Sequence, residues 1–266
     1  MRFLYLLFLC AFAFTACENN PNDPEAGERI GVDDDSDGNT TTLTTDPTYT
    51  IRPVTGEKEY PTGAITNMTY KNGTFDFGIA GDYTLGVQTS DEVQEMCANS
   101  EKGQHIHLIV NNEPYLAKYE SSFSQELPDG EHYLTAFLSR SYHMSIKEPQ
   151  AFRSVKATVV NNGFTKVEPA NEPMVIYSRP KGTYLGADTK NVLLDFYLVR
   201  AELGDDYKVK VNINGEYEEM LSVWQPYFIE GLPMGDNTIE LTLVDGAGKT
   251  VVTPLNPVKR TFTLKP

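Results

Sequence analysis

The sequence predicts an all-β chain, two tandem immunoglobulin-like sandwiches following a lipoprotein signal and a disordered linker. Past residue 50 the chain is a succession of short alternating apolar and polar runs divided by Gly, Asn, Asp and Pro, which is the pattern of sandwich strands. No helical period is sustained; the best candidate, Asp91 to Ala98, is about two turns long. The pattern also occurs twice. His105-Ile106-His107-Leu108-Ile109-Val110-Asn111-Asn112-Glu113 aligns with Lys208-Val209-Lys210-Val211-Asn212-Ile213-Asn214-Gly215-Glu216, and Leu127-Pro128-Asp129-Gly130 with Leu232-Pro233-Met234-Gly235.

The elements follow in chain order. Residues 1–16 read as a secretory signal: Arg2, then an apolar run from Phe3 to Phe14, too short for a hydrocarbon layer that needs about 20 residues. Phe14-Thr15-Ala16-Cys17 resembles a lipobox, in which cleavage precedes the cysteine and its thiol is acylated. Cys17 is therefore the expected lipidation site, and the membrane is reached through that anchor. An outer-membrane lipoprotein, at the cell surface or on the periplasmic face, is the expected address.

Residues 17–50 read as an acidic linker. Between residues 18 and 50 nine acids stand against Arg29 alone, and such a stretch buries too little surface to offset ordering entropy. Asp33, Asp35, Asp37 and Gly38 match half of a calcium loop, but Thr44 stands where the bidentate Glu belongs. The formal charge of −15 argues against a nucleic-acid partner. Once Cys10 leaves with the signal and Cys17 is acylated, Cys97 is the one thiol left among three cysteines, so no internal disulfide forms.

The first sandwich is placed at 51–168 and the second at 169–266, with the boundary in Glu168-Pro169-Ala170-Asn171-Glu172-Pro173. Each copy is about 100 residues, the size of one such domain. In both Leu-Pro-x-Gly turns the proline presets one dihedral and the glycine supplies the permissive one. Strand parity then sorts the faces. Ile106, Leu108 and Val110, like Leu134, Ala136 and Leu138, point into the core; His105, His107 and Ile109, with Tyr133, Thr135 and Phe137, point out. His132 falls on the inward parity, where the second copy has Asn237.

All four histidines lie in the first copy. Two functional surfaces follow from them. His105, His107, Tyr133 and Phe137 form an aromatic-histidine face able to bind a protein or small ligand, or to pack against the second sandwich. Alternatively His105, His107, His143 and Cys97 hold copper or zinc, since imidazole and thiolate suit both. A third possibility is carbohydrate binding through Trp224 and Tyr227. No phosphate loop, CxxC, HExxH, GxSxG or paired-carboxylate motif is visible, so a non-enzymatic binding protein is expected, with no cofactor other than that copper or zinc.

Gly103-Gln104-His105-Ile106-His107, Leu127-Pro128-Asp129-Gly130-Glu131-His132-Tyr133, Ser139-Arg140-Ser141-Tyr142-His143 and Tyr177-Ser178-Arg179-Pro180-Lys181-Gly182-Thr183-Tyr184 resemble those of two-domain bacterial lipoproteins, some of which are labelled phosphopeptide-binding protein. The resemblance covers most of residues 60 to 266. Phosphate recognition favours arginine forks, whereas Arg140, Arg153, Arg179 and Arg200 are scattered here. The first copy also resembles single-domain secreted proteins with an HxH, LPxGxH and later-His pattern. That likeness implies a metal role for His105, His107, His132 and His143.

Overall fold

The computed structural model describes residues 49–266. The lipidation expected at Cys17 and the acidic run from Asp33 to Gly38 lie outside the described residues. Among those described, no helix is long and apolar enough to cross a membrane.

The strands run β1 (Thr50–Pro53), β2 (Ala64–Lys71), β3 (Thr74–Ala80), β4 (His105–Val110), β5 (Leu116–Lys118), β6 (Ser122–Ser124), β7 (Gly130–Ser139), β8 (Phe152–Val160) and β9 (Gly163–Pro169). The second series is β10 (Met174–Arg179), β11 (Gly182–Leu185), β12 (Val192–Val199), β13 (Tyr207–Ile213), β14 (Tyr217–Leu221), β15 (Tyr227–Glu230), β16 (Gly235–Asp245) and β17 (Val258–Lys265). Only one 3-10 turn, Gln94–Met96, forms in the segment that offered a two-turn helix, and no side chain caps it.

The first sandwich faces sheet β2-β3-β6 against β5-β4-β7-β8-β9, and the second faces β1-β15-β12-β10 against β11-β17-β16-β13-β14. The duplication is topological: β5-β4-β7-β8 in one copy is β14-β13-β16-β17 in the other, all antiparallel. Parity sorted the cores as expected. Ile106, Leu108, Leu134, Ala136 and Leu138 pack on Phe75 and Phe77. Val209, Val211, Ile239, Leu241 and Leu243 pack on Leu194 and Phe196. The turn glycines Gly130 and Gly235 have φ of 136° and 98°, values L side chains rarely adopt.

The two copies also share a polar device. His132 Nε2 lies 2.8 Å from the Pro128 carbonyl and its Nδ1 3.0 Å from Asn111 Nδ2. In the second copy Asn237 donates to the Pro233 carbonyl at 2.8 Å and accepts from Asn214 at 2.9 Å. His132 therefore ties a turn to a hairpin and belongs to no ligand set. Replacing it with Asn, the residue its sister uses, is expected to change stability by less than about 1 kcal/mol in urea titrations. His132→Ala, which orphans both partners, costs about 1–3 kcal/mol.

One boundary shifts. Thr50–Pro53 pairs with β15 of the second sandwich, so the chain enters through the second copy before it builds the first. The two copies also pack against each other within one compact unit. Ile109, Tyr115 and Phe137 of the first meet Met174, Ile176, Tyr197 and Val199 of the second in one apolar cluster. Asn112, at φ 57°, donates to the Val175 carbonyl and accepts from the Tyr177 amide, each at 2.9 Å, clamping the β4–β5 turn to β10.

Candidate metal centre

That packing changes the meaning of the outward face. Phe137 is fully buried, stacked on Tyr197 with ring centroids 5.0 Å apart. Tyr133 is half-buried and donates to Glu172 at 3.0 Å. His105 and His107 are 0% exposed. The aromatic-histidine face is therefore not presented to solvent or to a partner, because β10 and β12 cover it. The apolar residues at its outward positions form the contact between the two sandwiches.

Within this junction three histidines converge. β4 places His105 and His107 two residues apart on the same face. His143 comes from the turn after β7, where the Arg140 amide donates to the Met144 carbonyl at 2.8 Å and the His143 amide donates to the Arg140 carbonyl at 3.0 Å. His143 has φ 68°, uncommon for a residue with a side chain, and strain of this kind gathers at functional sites. His105 Nε2 lies 2.9 Å from His107 Nε2 and 3.0 Å from His143 Nδ1. All three nitrogens fall within 4.8 Å of one another.

The protons can be placed. His105 Nδ1 is 2.8 Å from the Gly103 carbonyl; a carbonyl only accepts, so Nδ1 carries the hydrogen and Nε2 offers its lone pair. His107 Nδ1 is 3.3 Å from Ser178 Oγ on β10, which likewise leaves Nε2 able to face the centre. A remote ring nitrogen fixed by a carbonyl or hydroxyl is the usual support of a metal-bound imidazole. Burial holds all three rings neutral. It lowers His105 to about 4, with the Arg179 and Lys181 charges adding to the effect and the Gly103 carbonyl opposing it. Burial also takes His107 and His143 well below the ordinary range, helped for His107 by the other two histidines and for His143 by Arg179.

Without a metal the rings are served by hydrogen bonds, with His107 Nε2–H able to donate to His105 Nε2 and the Tyr115 hydroxyl to His143 Nδ1. His105 Nε2 has one lone pair and two nitrogen neighbours near 3 Å, so a single hydrogen bond serves only one of them. A metal cation serves all three. Nitrogen donors ~2.0–2.1 Å from a tetrahedral zinc sit about 3.3 Å apart; the two His105 pairs, at 2.9 and 3.0 Å, reach that by opening about 0.3–0.4 Å, while the His107–His143 pair lies within 4.8 Å and must draw in.

Cys97 does not join the group. Its thiol is buried with Val93, Tyr142, Leu193 and Phe228, and burial pushes it up to about 12, unsuited to a ready thiolate. Trp224 and Tyr227 form no sugar platform either. Trp224 sets its ring edge-on to Tyr197 at 4.9 Å under the Lys147 ammonium, and Tyr227 is buried with its hydroxyl donated to the Val223 carbonyl at 2.6 Å. Two groups at the centre had no signal in the sequence. Tyr115 stacks on His107 with centroids 3.6 Å apart and places its hydroxyl 3.1 Å from His143 Nδ1. Ser178 arrives from the other sandwich.

Neutral buried histidines make the metal-free chain acid-sensitive. Their folded-state pKa lies below the unfolded value of about 6.5, so the stabilisation is complete above that pH and is lost as pH falls toward about 4. For His105 the difference corresponds to about 3 kcal/mol. The urea midpoint of metal-free protein is expected to fall over this window, and less steeply in His105→Gln. Equal slopes in the two proteins would contradict a buried neutral His105.

No protein-family model matches the chain, and no curated protein is detectably similar to it. Among solved structures it is similar to the fibronectin(III)-like modules of Clostridium thermocellum CbhA, at 12% identity and TM-score 0.28, over 82% of this chain and 94% of that one. It is also similar to the central fibronectin-III array of RIM-binding protein, at 9% identity and TM-score 0.26, over 79% and 71%. A third likeness is to the two tandem V-type regions of the chitin-binding protein VCBP3, at 10% identity and TM-score 0.21, over 82% and 99%. At these values the likenesses add nothing to the chemistry of the centre.

Proposed function

We propose that this chain is a metal-binding protein of the bacterial cell envelope, lipid-anchored through Cys17, which holds one copper or zinc ion on His105, His107 and His143. The observation that carries the reading is the convergence of three neutral imidazole nitrogens within 4.8 Å of one another, with the remote Nδ1 of His105 fixed by a carbonyl. Two of the ligands are sealed from solvent and the third sits at the rim.

The expected behaviour is ligand-linked stabilisation. A metal that binds only the folded state stabilises by about 2.7 kcal/mol at a hundredfold excess over Kd. Stepwise addition of Zn2+ or Cu2+ to chelator-treated full-length protein should raise the melting temperature, and beyond one equivalent the rise should continue with the logarithm of free metal. An unchanged melting temperature with both ions would overturn the reading.

A further inference from the structure

We propose that the three-histidine centre selects copper(I) over zinc(II) and copper(II), and that Arg179 and Lys181 enforce the choice through their charge. This deepens the metal reading above and rests on it. The donor count comes first. Among the described residues, His105, His107 and His143 are the only group of three or more histidine, cysteine or acidic side chains close enough to share an ion. Tyr115 is no fourth donor: its ring stacks on His107 at 3.6 Å and 8°, which holds the hydroxyl out of the plane in which that imidazole would bind. Zinc(II) takes four donors, and where protein supplies three, water or substrate supplies the last. The walls here are other rings: Tyr115 over His107, Phe137 5.2 Å from it and Tyr119 4.8 Å from His105, centroid to centroid. Copper(I), a closed-shell ion, accepts three nitrogens in a plane.

The charge of the surroundings separates the ions further. Three neutral imidazoles supply no negative charge, so the ion keeps its full charge in a site where His105 and His107 are 0% exposed. The cost of taking an ion out of water scales with the square of its charge, so a divalent ion pays about four times what a monovalent one does. The second sandwich adds two cations. Lys181 holds Nζ 3.7 Å from the Tyr115 centroid, and that ring is all that separates the ammonium from His107. Arg179 is buried with its guanidinium 5.4 Å from the same centroid, and its Nε has no partner. Both charges act on all three imidazoles and push their pKa down. Among the described residues no carboxylate forms an ion pair with Arg179 or Lys181. Repulsion from fixed cations grows in proportion to the ion's charge, so zinc(II) feels about twice what copper(I) feels.

Lys181→Met is the test, since it removes an ammonium from a half-buried position and keeps an unbranched side chain there. Full-length wild type and variant are titrated with zinc(II) against a chromophoric chelator, and anaerobically with copper(I) against bicinchoninate. Loss of one nearby cation should tighten copper(I) binding by about tenfold and zinc(II) binding by about a hundredfold. The variant also loses the 2.8 Å hydrogen bond from Lys181 to the Tyr115 carbonyl, a structural change that moves both ions alike. Equal gains for the two ions, no gain for either, or a wild type that holds zinc(II) more tightly than copper(I) would overturn selection by charge and leave the histidine site standing. Wild type that takes up neither ion would overturn both. X-ray absorption of copper(I)-loaded wild type should show a shell of three nitrogens, and a fourth donor there would overturn the selection even if the variant fails to fold.

Discussion

His143→Gly lowers the affinity for zinc or copper by about a hundredfold, at a cost of about 1–3 kcal/mol in the metal-free fold from the Tyr115 hydroxyl left unpaired. The apparent binding energy of structural zinc sites is about 10–16 kcal/mol over four ligands, so one ligand's share is about 3 kcal/mol, a factor of about a hundred in Kd. His143 is the ligand whose loss is easiest to read. It lies at the rim rather than in the core, and its φ of 68° is one that glycine adopts without strain. The expected result is a calorimetric Kd weakened by about two orders of magnitude, measured on a variant that still unfolds in one cooperative urea transition. A variant that binds metal as tightly as wild type would remove His143 from the ligand set.

The second large effect lies beside the centre, where the two sandwiches share a buried ion pair. Asp195, 0% exposed, accepts from the Lys147 ammonium at 2.9 Å and from the Ser145 amide and hydroxyl at 3.0 and 2.9 Å. Lys147 also donates to the Phe196 carbonyl and is lined by Phe196, Tyr197 and Trp224. Burial lowers its pKa, and Asp195 opposes that shift. Asp195→Ala leaves an ammonium and an amide without their anion, a loss of about 3–5 kcal/mol. At roughly 2–4 °C per kcal/mol for a chain of this size, melting should drop by roughly 6–20 °C. Lys147→Met combined with Asp195→Leu removes both charges and should recover most of it. Equal melting of wild type and Asp195→Ala would show that the junction does not depend on the pair.

Strand periodicity made the cores legible. Alternation along β4 and β7 is a local property, and the second copy repeats it, so the sequence alone sorts the inward from the outward residues. The histidine pair and its direction came from the same parity. What covers the outward face was not legible, because packing between sandwiches carries no period. Its trace was Ile109, Tyr133 and Phe137 at positions where the sister copy has Asn212, Thr238 and Thr242, a pattern that fits a docked domain as well as a free ligand surface. That Asn112 clamps β10 depends on contacts 63 and 65 residues away. Ser178, Arg179 and Tyr115 reach the centre by the same long-range packing. Ligand chemistry alone groups Cys97 with the histidines, but the 3-10 turn at Gln94–Met96 carries it into an apolar pocket instead.

The direct test of the central claim is metal analysis of purified full-length protein beside a His105→Ala/His107→Ala variant. About one copper or zinc per wild-type chain, absent from the variant, is the predicted result. Equal metal content in the two, or a wild-type chain that takes up neither ion, would contradict it.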